Sequence, residues 1–258
     1  MPSLVLTRWH QGKRTHRFPA LPPDLPDRFR GRPQLDPSRC HEGCLACVEA
    51  CPTHAVQTDP LRVDLGACLF CPACVDACPD GALTYTTSHQ LAASDRAALV
   101  VSSARAEAAP RVEELGREMR RLFGRSLRLR QVSAGGCNGC EAELIALNNV
   151  VFDLSRFGIQ FVASPRHADG IVVTGPVTRN MELALRKTYD AVPAPKIVIA
   201  VGACAISGGP FVGSGVARDG VPEDIPVDLY IPGCPPHPAT LVDGLLRLLG
   251  QIGPEPCG

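Results

Sequence analysis

Between Cys40 and Pro79 the chain repeats itself. Cys44, Cys47, Cys51 and Pro52 recur as Cys71, Cys74, Cys78 and Pro79, each displaced by 27 positions, and each block runs into a short apolar pair, Ala55-Val56 or Ala82-Leu83. Two equivalent half-units are implied. Closely spaced cysteines ending in Cys-Pro wrap the backbone around a small object, and an iron-sulfur cubane needs four thiolates converging on one inorganic core. The second run, Cys68-x2-Cys71-x2-Cys74-x3-Cys78-Pro79, matches that requirement at every position. The first, Cys40-x3-Cys44-x2-Cys47-x3-Cys51-Pro52, has one extra residue between its first two cysteines, which alters the loop more than the ligand count. Pairs of zinc knuckles also use four cysteines each and are the competing reading.

These two runs resemble bacterial-type two-cluster ferredoxins over about fifty residues, a family in which the last cysteine of each run ligates the other cluster. The resemblance implies an α+β ferredoxin-like domain, with one 4Fe-4S cluster on Cys40, Cys44, Cys47 and Cys78. The other would sit on Cys68, Cys71, Cys74 and Cys51. His41 and His54 flank complete sets of four and read as bystanders.

Thirteen cysteines could also mean disulfides. The residues before Arg8 are too few and too mixed for a secretory h-region, so export is not expected. In a reducing compartment clustered thiols are metal ligands rather than disulfides. The strongest apolar run, residues 197–206, includes Gly202 and falls far short of the ~20 residues that span a bilayer, so membrane association has to come through a partner. Lysine plus arginine equals aspartate plus glutamate at 26 each, so no global field attracts nucleic acid.

Five regions follow from composition and period: a Pro-rich arm (1–38), the cysteine repeat (39–90), a linker (91–125), an α/β region (126–250) and a tail (251–258). The arm carries Arg8, Lys13, Arg14 and Arg17 and then six prolines, and reads equally as a disordered tail or as an extended segment docking on a neighbour. In the linker Val112, Leu115, Met119, Leu122 and Phe123 predict an amphipathic helix over 111–123 that bridges the domains. Beyond it, strands are predicted at 127–132, 158–163, 170–173 and 196–201, and helices at 141–152, 181–192 and 238–249. That alternation predicts a layered α/β domain with a mainly parallel sheet, whose functional groups collect beyond the carboxyl ends of the strands.

The remaining chemistry lies there. Gly135-Gly136-Cys137-Asn138-Gly139-Cys140-Glu141 follows the first strand and opens a helix; Val201-Gly202-Ala203-Cys204 ends another strand; Ile231-Pro232-Gly233-Cys234-Pro235-Pro236 precedes the last helix. Glycines let backbone approach a bulky cluster, and helix amides can donate to its sulfurs. Taken alone, Cys137-x2-Cys140 could be a redox dithiol; with Cys204 and Cys234 in similar settings, four cysteines suffice for a third cubane. With Ser164-Pro165-Arg166-His167-Ala168-Asp169 and Thr174-Gly175-Pro176-Val177-Thr178-Arg179, these motifs resemble the small subunit of group 4 energy-converting nickel-iron hydrogenases, including formate hydrogenlyase, and its relative in respiratory complex I.

The resemblance spans roughly residues 126 to 250. It implies a flavodoxin-like α/β fold with a proximal 4Fe-4S cluster on Cys137, Cys140, Cys204 and Cys234, facing a separate large subunit that bears the catalytic metal. It further implies membrane subunits, formate dehydrogenase or another donor, and a place on the cytoplasmic face of the inner membrane. Complex I relatives have adjacent cysteines where this chain has Cys-Asn-Gly-Cys, which favours the hydrogenase branch; the ferredoxin is usually a separate chain and here is fused. The expectation is therefore an oxidoreductase subunit that relays electrons through three clusters. A complex I-like quinone-reducing or ion-pumping module without nickel and a free ferredoxin carrier are the rivals. Glu141 either complements the helix dipole or tunes the adjacent cluster, and Arg166, His167 and Arg179 either shape the site and interface or satisfy loop carbonyls. Residues 207–215 are glycine-rich but lack a Walker lysine, so no nucleotide site is assigned; Cys257 reads as a bystander.

Overall fold

A computed structural model describes residues 3–103, 111–124 and 126–253; Cys257 lies outside them. The chain opens with α1 (Leu4–Gln11) and an extended arm that ends in β1 (Pro33–Leu35). The cysteine repeat follows as α2 (Ala46–Glu49), β2 (Val56–Thr58), β3 (Leu61–Asp64), α3 (Ala73–Asp76) and β4 (Leu83–Tyr85). α3 and β4 reproduce α2 and β2 at the same displacement of 27. Gly43 and Phe70, equivalent by that displacement, both have positive φ, at 75° and 54°. The sequence repeat is thus a backbone repeat, down to a residue bearing a side chain in a conformation that favours glycine.

Five strands of this half make two small antiparallel sheets: β1 with β4, and β2 with β3 and β5 (Val100–Ser102). Leu61, Val63, Leu65, Leu83 and Leu99 fill the space between them with the inner cysteines Cys47, Cys51, Cys68 and Cys74. The linker contributes α4 (Arg117–Phe123), shorter than the predicted helix. Gly116 and the Leu115 N–H bond to Leu248 O hold the preceding residues out of the helix. Val112, Leu115, Met119 and Phe123 pack on the second domain, as an apolar stripe must, while Leu122 stays exposed.

The second domain runs β6 (Leu127–Ser133), α5 (Gly139–Ala146), β7 (Ile159–Phe161), β8 (Gly170–Thr174), α6 (Arg179–Ala191), β9 (Ile197–Val201), α7 (Ala203–Ser207), β10 (Leu229–Ile231) and α8 (Pro238–Leu248). Its five strands form one sheet in the order β10-β9-β8-β6-β7, every pair parallel. β8 and β9 are buried at all five positions, as central strands covered on both faces are. α8 is buried almost all round and starts where Ala239 N–H donates to His237 Nδ1 behind Pro238.

Two predictions about elements need correction. The helix expected over 141–152 stops at Ala146, because the Asn149 side chain accepts from the amides of Val151 and Phe152 and turns the chain. β10, three residues long, was not predicted at all; too short to show a period, it exists because β9 offers it a parallel edge. Ala93 and Tyr230 then exchange two backbone hydrogen bonds across the outer side of β10, so the linker covers that edge.

The arm is held against its own chain. Val151 O accepts from His16 N, Arg156 donates to His16 O and Phe18 O, the His16 ring stacks on Phe152 at 5.6 Å, and Phe29 meets His237 edge-on at 5.5 Å. Among the described residues no helix is long and apolar enough to cross a membrane.

Candidate iron-sulfur sites

Twelve cysteines, all free thiols, gather in three places. Cys40, Cys44, Cys47 and Cys78 line one cavity, roofed by Leu61 and Leu83. Burial raises the Cys47 thiol pKa, and the nearby sulfurs of Cys40, Cys78 and Cys44 raise it further. Cys78 therefore stands with the first run although it belongs to the second. His41 faces Asp80 at 2.9 Å rather than a sulfur.

The second group is the mirror case. Burial pushes the Cys68 thiol up to about 12, against the lowering effect of Phe70 N–H and the Tyr85 hydroxyl, with Cys74 and Cys51 adding to the rise. Cys74 is raised by burial and by Cys51 and Cys71. Cys51 thus joins Cys68, Cys71 and Cys74. The repeat also supplies matched amides: Ala55 N–H donates to Cys51 Sγ and Ala82 N–H to Cys78 Sγ, each at 3.2 Å. Tyr85 is a site residue that the sequence reading missed; its oxygen lies 3.8 Å from Cys68 Sγ and 3.9 Å from Cys74 Sγ, and it donates to Cys71 O. Nothing in the cysteine spacing marks it.

The third group collects at the carboxyl ends of β6, β9 and β10. Cys137 and Cys140 stand where α5 begins, Cys204 in the first turn of α7, and Cys234 on the loop before α8. Burial pushes the Cys140 thiol up to about 12, with Glu141 and the sulfurs of Cys204, Cys234 and Cys137 adding to it; Cys204 is pushed to about 11 by burial and by Cys234 and Cys137. Glycine makes the space. A Cβ on Gly202, at φ 87°, would stand 2.5 Å from Cys140 Sγ, and one on Gly209 would stand 3.2 Å from Cys204 Sγ. Gly175, at φ 83°, lets the 174–179 loop press on the 135–137 loop, where a Cβ would meet Gly136 N at 2.5 Å.

Such a cradle fits a cubane. Three of its four thiols, Cys140, Cys204 and Cys234, are raised by burial and by neighbouring sulfurs, and a cationic iron core would offset both the repulsion and the burial. Glu141 is buried beside it and accepts from Ser133 Oγ and Thr174 Oγ1, each at 2.7 Å. Burial raises its pKa, but those two hydrogen bonds outweigh burial and leave it below the ordinary value. The carboxylate therefore ties α5 to the ends of β6 and β8. Arg166, His167 and Arg179 are exposed and make no side-chain hydrogen bond or ion pair among the described residues. Arg179 follows Thr178, whose side chain packs on Gly135.

The second and third groups meet at the domain junction. Burial raises the Cys234 thiol, and Cys137 and then Cys71 add to the rise, so Cys71 of the first domain lies within electrostatic reach of Cys234 in the second. A cleft of about 250 Å³ beside them is lined by Arg28, Arg30, Phe70, Cys234 and His237.

Residues 32–79 match the 4Fe-4S dicluster domain, and residues 137–248 match the NADH ubiquinone oxidoreductase 20 Kd subunit. The probable membrane-bound hydrogenase subunit mbhJ of Pyrococcus furiosus is 39% identical over 153 residues, which cover 56% of this chain and 92% of that one. Formate hydrogenlyase subunit 7 of Escherichia coli is 47% identical over 128 residues, half of each chain. Among solved structures, a chain of the membrane-bound sulfane sulfur reductase, an archaeal respiratory membrane complex, is 35% identical with a TM-score of 0.46 over 52% of this chain and 74% of that one. A dicluster domain joined to such a subunit defines an iron-sulfur electron-transfer component of an oxidoreductase complex. The chain belongs to the family of the 20 kDa subunit of NADH ubiquinone oxidoreductase, which takes in the hydrogenase subunits just described.

Proposed function

We propose that this chain carries three 4Fe-4S clusters in series and relays electrons between a donor and a nickel-iron large subunit of the formate hydrogenlyase type. The ligand sets are Cys40, Cys44, Cys47 and Cys78; Cys68, Cys71, Cys74 and Cys51; and Cys137, Cys140, Cys204 and Cys234. The observation that supports the series is the influence of Cys71 on the Cys234 thiol, which brings the second and third cysteine groups within electrostatic reach of each other. Cubanes are favoured over zinc by the paired runs ending in Cys-Pro, which repeat at a displacement of 27.

The strand order of the second domain, with its first strand between the second and third, supports a flavodoxin-like fold, and its cysteines stand at the carboxyl ends where such sheets carry function. When bound, the clusters supply one-electron redox chemistry. The chain's own residues hold them, exclude water from the first site with Leu61 and Leu83, and donate amides to sulfur. The exposed Arg166, His167 and Arg179 face the large subunit in this reading, with membrane subunits beyond it on the cytoplasmic face of the inner membrane, and formate dehydrogenase or another enzyme as donor.

The family is also that of complex I, so a quinone-reducing or ion-pumping complex without nickel is the second reading. Purification of the native complex followed by metal analysis separates them. Nickel in the large subunit supports the proposal, and a large subunit of this complex without nickel overturns it.

A further inference from the structure

Residues 3–14 serve neither the fold nor the clusters. α1 has no buried residue, and Leu4, Val5, Leu6 and Trp9 are 88%, 73%, 56% and 82% exposed. Four large apolar side chains on one short helix form a patch that water does not tolerate without cause. At about 100° per residue, Val5, Trp9 and Leu6 share one arc, Leu4 widens it, and Thr7, His10 and Gln11 take the opposite side.

Charge says what covers the patch. From Ser3 to Pro23 the chain carries Arg8, Lys13, Arg14 and Arg17 and no acid, although the whole chain is neutral, so this segment is a local excess of positive charge. All four cations are exposed, and among the described residues none is in an ion pair. The chain is pinned just ahead of Arg17, by His16 N–H on Val151 O and by Arg156 on His16 O. The helix is therefore displayed from a fixed point.

We propose that residues 3–17 dock on an anionic membrane surface, with α1 in the plane of the interface. Val5, Leu6 and Trp9 enter the boundary between headgroups and acyl chains, and Arg8, Lys13, Arg14 and Arg17 meet lipid phosphates. A helix that fills a protein groove presents a narrow stripe of anchors three and four residues apart. Here Leu4, Val5 and Leu6 are consecutive and spread over a broad arc, with Arg8 inside it between Leu4 and Val5 and Lys13, Arg14 and Arg17 following the helix; an interfacial layer, where a long cationic side chain reaches up to the headgroups, suits this better than a groove. The site would hold this chain at a membrane without a spanning helix, whichever large subunit it serves.

Trp9 is the only tryptophan in the chain, so tryptophan emission reports this helix alone. The test is co-sedimentation and emission of the complete, cluster-loaded chain with vesicles of phosphatidylglycerol and phosphatidylethanolamine, compared with phosphatidylcholine. The expected result is binding with a blue shift on anionic vesicles only, weakened by salt and by Arg8→Glu or Lys13→Glu. Each lost cation should cost about fivefold in affinity. Trp9→Glu, followed by sedimentation, should abolish binding with the visible cluster absorption unchanged. Equal binding to phosphatidylcholine, no binding to anionic vesicles, or undiminished binding by Trp9→Glu would overturn the proposal, and docking only on a purified large subunit would do the same.

Discussion

Gly202 is a position where a single methyl group would press on a cluster ligand. Its φ is 87° and its Cβ would stand 2.5 Å from Cys140 Sγ, so Gly202→Ala should expel the third cluster while leaving the ferredoxin pair. Iron analysis should then fall by about four per chain. At Tyr85 the effect is electronic. The Tyr85 O–H donates to Cys71 O and its oxygen is the polar group beside Cys68 and Cys74; surroundings of this kind set a cluster's potential, so Tyr85→Phe should shift that cluster's midpoint in an EPR-monitored titration with iron content unchanged. Glu141 separates by its two variants. Glu141→Ala strands the Ser133 and Thr174 hydroxyls and should cost ~1–3 kcal/mol in thermal unfolding, whereas Glu141→Gln keeps an acceptor oxygen and should cost less. The cysteine groups were legible from their repeated spacing, and Gly202 from its place beside Cys204 in a glycine-bearing motif. Tyr85 was not, since its importance lies in what the fold brings against it.

Elements follow the same division. The displacement of 27 was readable and became α2 with α3 and β2 with β4, because ligand spacing sets the backbone there directly. Helix ends were less readable: Asn149 stops α5 through its side chain, and Gly116 with a bond to Leu248 O delays α4. α6 is anchored by charge. Glu182 accepts from Arg218 and Arg186, and Arg186 pairs in turn with Asp224, so the Glu182 carboxyl is held below its ordinary value of 4.5. A carboxyl lowered by folding contributes stability above that ordinary value, and the contribution is lost as pH falls through the lower folded value. Wild type should therefore unfold at a higher temperature than Glu182→Gln at neutral pH, with the gap closing in acid; a gap that persists unchanged well below pH 4.5 would contradict the assignment. The pairs are solvent-exposed, so added salt should narrow the gap as well.

At the scale of the molecule the decisive contact is the one between domains, and it was not visible in the sequence. It is built from unremarkable residues: Ser207 Oγ donates to Gly66 O, Ala93 pairs with Tyr230, and Ala200, Ala205 and Ile206 join the core of the first domain. A Cβ at Gly66 would stand 2.7 Å from Arg96 Cζ and 2.8 Å from Ile206 Cγ2. Gly66→Val should thus wedge the domains apart, leaving all clusters bound but slowing reduction of the third by the second in stopped-flow spectroscopy. Domain order and the parallel sheet were readable from period and motif; the path of the arm across the second domain was left open, because proline-rich segments carry no period. The account stands on three cubanes in one chain, one of them reached through Cys234. Anaerobic iron and sulfide analysis of the wild type and of Cys234→Ser tests this most directly. About twelve irons in the wild type and about eight in the variant are predicted from three four-iron centres; about eight in the wild type, or no loss in Cys234→Ser, would contradict it.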